Sequence, residues 1–133
     1  MLNTILIAYL LLSLAMSAAQ LVNRNALVCR ILIGLFLTTQ VALTLFTAKW
    51  LGMPGNDYFA VDGLGVLLTI VVTIVCVAAF CHSRRYIVEK EGGKDNKVRA
   101  QCYGAMTTIT MALTMASLSA HLAVTWIFVE VTT

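Results

Sequence analysis

Apolar residues run through this chain in four long stretches, separated by short polar clusters. No Asp, Glu, Lys or Arg precedes Arg24, none falls between Arg30 and Lys49, none between Asp62 and Arg84, and none between Arg99 and Glu130. A bilayer core of about 30 Å is crossed by roughly 20 apolar residues at 1.5 Å rise each. Each charge-free stretch meets that length, which predicts helices over about 2–22, 31–48, 63–82 and 101–119. Residues 122–133 are apolar again but only 12 long, so they predict the start of a fifth helix that does not cross. The fold class expected is all-α integral membrane: four transmembrane helices plus the start of a fifth, in a single domain over 1–133.

Composition strengthens this picture. Of 133 residues, 60% are hydrophobic and 11% charged, and the mean hydropathy is +0.91. A soluble domain carries about 25% charged residues. The first apolar stretch lacks the basic leader of a signal peptide and is long enough to span, so it reads as a retained helix. Cys29, Cys76, Cys81 and Cys102 form no CxxC and no metal-ligand spacing, and read as small buried hydrophobes. No metal is expected.

Loop charge predicts orientation. The loops at 23–30 and 83–100 hold eight of the nine basic residues, which by the positive-inside rule places both in the cytoplasm and the N-terminus outside. The loop at 49–62 holds Gly52, Pro54, Gly55 and Asn56 between Trp50 and Tyr58, turn formers flanked by interfacial aromatics. In the loop at 83–100, Gly92 and Gly93 argue against one continuous helix, and its mixed charges suit a solvated hairpin that can also meet anionic lipid or a peripheral subunit.

Polar residues inside the apolar stretches carry the candidate chemistry. Thr107, Thr110, Thr114, Ser117 and His121 are spaced three, four, three and four apart, on one helical face. The plainer reading is helix packing through hydroxyls; the sharper one is a stripe lining a hydrated access path that ends at His121. Glu130 is more demanding. An acidic residue at a membrane helix centre costs roughly 3 kcal/mol on insertion scales, so such residues face a protein interior or a water cavity and mark ion pathways. If the chain turns at about Ala120 and His121 and re-enters, Glu130 lies nine residues in, about 13 Å deep. The alternative is one long helix over 101–133 that leaves Glu130 in water. Burial without a cation favours a protonated carboxyl and a neighbouring cation favours the ionised one, so a carboxylate in such a place suits a proton relay.

Two stretches carry a family resemblance. VDGLGVLLTIVVTIVCVAAFCHSRRYI (61–87) resembles helix 3 of the antiporter-like subunits shared by respiratory complex I, Mrp-type sodium/proton antiporters and membrane-bound hydrogenases. In that family Asp-Gly-Leu opens the helix, here Asp62, Gly63 and Leu64, and a Tyr-containing segment closes it, here at Tyr86. LSAHLAVTWIFVEVTT (118–133) resembles the start of helix 5, and its Glu-x-Thr-Thr is similar to the hydrogenase-4 component F branch. The resemblance implies a proton-translocating subunit whose helix 5 glutamate, here Glu130, pairs with a lysine on a later helix. No such lysine lies in this sequence, so the implied partner is a chain completing the helix bundle.

The leading expectation is therefore a membrane subunit, or a fragment of one, taking part in proton or sodium translocation in a complex I-like or group 4 hydrogenase-type assembly. No catalytic chemistry of its own is expected of this subunit of a redox-driven ion pump, and no cofactor, since no quinone, flavin, haem or iron–sulfur signature is seen. Its expected partners are other membrane subunits and lipid, with no nucleic acid, in a bacterial or archaeal cytoplasmic membrane or the mitochondrial inner membrane. The alternative is a non-transporting small membrane scaffold or assembly subunit. A thiol oxidoreductase is a third class, for which Cys29 and Cys102 near helix ends are the only candidates.

Overall fold

The structure is a computed structural model that describes residues 2–23, 25–52, 59–90 and 96–133, with side chains for all of these but residues 2, 84, 86–90 and 96. It contains five helices: α1 (Leu2–Val22), α2 (Ala26–Lys49), α3 (Gly63–Lys90), α4 (Asn96–Ser117) and α5 (Leu122–Thr132). The architecture is all-helical, as the apolar stretches predict. Three segments, Asn3–Val22, Ala26–Lys49 and Gly63–Ser83, are long and apolar enough to cross a membrane.

The helices extend past the charge-free intervals at their charged ends, while α4 stops two residues short of 119. Helix α2 starts at Ala26 rather than 31, α3 runs to Lys90 rather than 82, and α4 spans Asn96–Ser117 rather than 101–119. Charge marks where a chain leaves hydrocarbon, while backbone hydrogen bonding carries a helix on into water. Arg24, of the basic 23–30 loop, and Pro54, Gly55, Asn56, Tyr58, Gly92 and Gly93, which support the two turn assignments, lie outside the described residues.

Helix α4 is the hub of the bundle. It packs against α1, α2, α3 and α5, while α1 meets α2 and α2 meets α3. A central position suits the polar face of α4: its hydroxyls meet other helices. Two apolar clusters stack along the bundle. One contains Met16, Ile33, Phe36, Cys76, Phe80 and Tyr103; the other contains Leu6, Tyr9, Leu43, Met111, Met115 and Leu118. The remaining large apolar side chains face outward, among them Leu11, Leu35, Leu45, Leu67, Ile74 and Val75. That inside-out pattern suits lipid as solvent.

Sequence chemistry sets the junctions. Asp62 caps α3, its Oδ1 accepting from the Gly65 amide at 2.7 Å. The next glycine turn brings α3 against α4: a Cβ on Gly65 would lie 2.5 Å from the Ser117 carbonyl oxygen and 2.6 Å from Asp62 Oδ1. Residues 59–61 are stitched across this junction, with Phe59 bridging to Ser119 and the Ala60 amide donating to the Leu118 carbonyl at 3.1 Å.

Candidate functional site

The turn between α4 and α5 falls at 118–121, close to the expected place. His121 is the cap of α5: its Nδ1 accepts from the Ala123 amide at 3.3 Å, and its carbonyl accepts from the Thr125 amide at 3.0 Å and from Ser119 Oγ at 3.0 Å. From there α5 runs back antiparallel along α4. Phe128 packs on the cluster holding Met111, Met115 and Leu118, and Val131–Thr133 come beside Gly104, Ala105 and Thr108. The chain turns back along α4, and the long continuous helix over 101–133 does not form.

Helix α5 offers α4 a narrow stripe. Val124, Thr125, Phe128 and Thr132 are half-buried, at helical spacing, and no residue of the helix is fully buried. Glu130 stands on the other side, exposed, among exposed Trp126, Ile127, Val129 and Val131. It forms no ion pair with a described residue. Eight residues past Leu122, it lies about 12 Å along the helix from the turn.

The hydroxyl stripe is built differently. Thr107, Thr110 and Thr114 are buried and Ser117 half-buried, and all four face the interior formed with α1, α2 and α3. Thr107 donates toward Gln20 Oε1 at 3.3 Å, Thr110 toward Cys76 Sγ at 3.5 Å, and Ser117 Oγ lies 3.1 Å from Thr69 Oγ1. The α4 residues beside the last turn of α5 are instead Gln101, Ala105, Thr108 and Ile109. The structure therefore brings no member of the stripe to Glu130, and His121 lies at the far end of α5 from it.

At the middle of the bundle is an amide hub that periodicity alone does not reveal. Gln40 is fully buried between Phe36 and Leu43, at the junction of the two apolar clusters. Its Oε1 accepts from the Tyr9 hydroxyl, and its Nε2 donates to Thr73 Oγ1 at 3.1 Å and Thr114 Oγ1 at 2.9 Å. One amide thus joins α1, α2, α3 and α4. Thr44 Oγ1 adds a 2.8 Å contact to Thr73. The two threonine acceptors have their own protons on backbone: Thr73 donates to the Thr69 carbonyl and Thr114 to the Thr110 carbonyl, each at 2.8 Å. The Tyr9, Thr73 and Thr114 hydroxyl protons thus each end on a carbonyl oxygen, and the Gln40 amide protons on hydroxyls, an arrangement that fixes helices. The readable signal was Gln40 itself, an amide in a charge-free apolar run that hydrocarbon leaves unsatisfied.

No three His, Cys, Asp or Glu side chains converge as a metal site among the described residues, and all four cysteines are free thiols. The chain matches no protein-family model, no curated protein and no solved structure.

Proposed function

We propose that the chain is a membrane subunit, or part of one, taking part in proton or sodium translocation in a complex I-like or group 4 hydrogenase-type assembly. In this reading α4 is the fourth span, the N-terminus is outside, and Glu130 is the carboxylate that exchanges protons. The observation that supports it is the reversal of α5 along α4 with a carboxylate on its outward apolar face. A carboxylate held about 12 Å from the turn among Trp126, Ile127, Val129 and Val131 is unfavourable against lipid and favourable against a polar or cationic neighbour. Another membrane subunit covering that face supplies such a neighbour. Proton exchange then runs between α5 and the covering chain, since the Thr107 to Ser117 face is engaged inside the bundle.

Glu130→Gln in the intact assembly is expected to reduce coupled proton movement sharply while assembly and helical content persist. Unchanged pumping would remove Glu130 from the path. The scaffold reading draws on one observation, the Gln40 amide whose bonds are all met inside the bundle. Labelling a cysteine introduced by Thr133→Cys, in a variant lacking the four natural cysteines, separates the two readings. Free reaction with a membrane-impermeant maleimide from the outer phase, with no neighbour cross-linked, favours the scaffold.

A further inference from the structure

The groove between α2 and α3 at their basic end has both parts of a receptor for a phospholipid. A void of about 130 Å³ is lined by Arg30, Ile33, Gly34, Leu37, Phe80 and Cys81. Four of these are apolar or lack a side chain, and a Cβ on Gly34 would meet nothing within 4 Å. The space admits about four groups the size of a water or a methylene. Arg30 is exposed at the mouth.

A second guanidinium stands at the same level. Thr44 lies opposite Thr73, and Leu37 lies beside Phe80, so α2 and α3 run antiparallel in a register that brings Arg85 within one turn of Arg30. Arg85 is exposed and sits four residues beyond Cys81, on the same helical face as that groove-lining residue. No carboxylate lines the groove. The two arginines flank the end of the apolar Gly63–Ser83 segment, where hydrocarbon gives way to headgroups.

We infer that this groove binds one anionic phospholipid, its phosphate held by Arg30 and Arg85 and one acyl chain laid over Gly34 between Leu37 and Phe80. Charge complementarity selects the lipid: planar guanidiniums bind phosphate bidentately, and basic pockets between membrane helices suit anionic headgroups. A zwitterionic lipid fills the groove equally well but adds a choline beside two cations. The inference requires only that these helices span a bilayer, and it is independent of ion translocation.

The test is native mass spectrometry of the full chain in mild detergent, titrated with dioleoyl phosphatidylglycerol or dioleoyl phosphatidylcholine. One phosphatidylglycerol is expected to be retained at low lipid load, in preference to phosphatidylcholine. Arg30→Gln and Arg85→Gln should each weaken retention about fivefold, and together about thirtyfold. Gly34→Leu keeps both charges and fills the groove without meeting another atom at its Cβ, so it should weaken retention by a comparable factor with helical content unchanged. Lys49→Gln, the same charge change at the other end of α2, should leave retention as it was. Equal retention of the two lipids, full retention by Gly34→Leu, or an equal loss in Lys49→Gln would each overturn the site.

Discussion

Gln40 shows how much one side chain can organise at the centre of an apolar helix bundle. Its three hydrogen bonds go to three different helices, and interhelical bonds in membranes average about 0.6 kcal/mol each. Gln40→Leu is therefore expected to lower unfolding free energy by about 2 kcal/mol, measured by circular dichroism in a denaturing-detergent titration. Gln40→Glu should be worse than Gln40→Leu at neutral pH, because a carboxylate presents acceptors to Thr73 and Thr114, whose own protons are already given to backbone. Its deficit should shrink as pH falls, since the protonated carboxyl again donates one bond. A Gln40→Glu variant as stable as the parent at neutral pH would contradict the assigned donor directions. Gly65 makes a matched pair with Gly63: Gly65→Ala meets a backbone carbonyl and the cap carboxylate, whereas Gly63→Ala meets nothing within 4 Å. The first should cost about 1–3 kcal/mol in the same titration and the second almost nothing. Asp62 and Gly65 thus have a local structural reason here: Asp62 caps α3 and Gly65 admits α4.

At the scale of elements, α4 and α5 differ most in what holds them. Helix α4 is surrounded, while α5 has 11 residues, no fully buried side chain, and close backbone contact with α4 alone among the described helices. An isolated helix of that length is marginal in water. Amide hydrogen exchange over 122–132 is expected to be faster than over the interior turns of α1–α4. Phe128→Ala should accelerate it further, with little change around Gln40, because Phe128 is the main apolar contact of α5 with the Met111, Met115 and Leu118 cluster. Uniform protection across all five helices in the full chain would show instead that a neighbour covers α5. The four apolar stretches were legible as helices because charge interrupts the apolar runs, and the break at Ala120 and His121 was legible because the apolar run after it is short. Helix ends were not, since Arg30 sits a turn inside α2 and neither charge nor hydropathy terminates a hydrogen-bonded backbone.

For the whole molecule, the basic end carries Arg30, Arg85, Lys97 and Arg99, and the other end carries Lys49 and Asp62. With α4 as a fourth span, the positive-inside rule turns the basic end to the cytoplasm. Single cysteines placed by Leu51→Cys and Lys97→Cys, in a variant lacking the natural four, test this orientation. The first should react with an impermeant reagent from outside and the second only after permeabilisation; the reverse result would invert the topology. Sequence alone determined that the chain is a set of apolar helices with charge gathered at one end, because the excluded charges act at any tertiary arrangement. It also placed Thr107, Thr110, Thr114 and Ser117 on one face, because helical period is local. Which neighbour that face meets was decided only by tertiary structure: α1, α2 and α3, through Gln20, Cys76, Thr69 and the Gln40 amide, and not the helix that carries Glu130. The physical reason is that period assigns a direction about one axis, while partners depend on how several axes pack, and that is set by long-range contacts such as Gly65 against Ser117 and Phe128 against the cluster of Leu6, Leu43 and Met115.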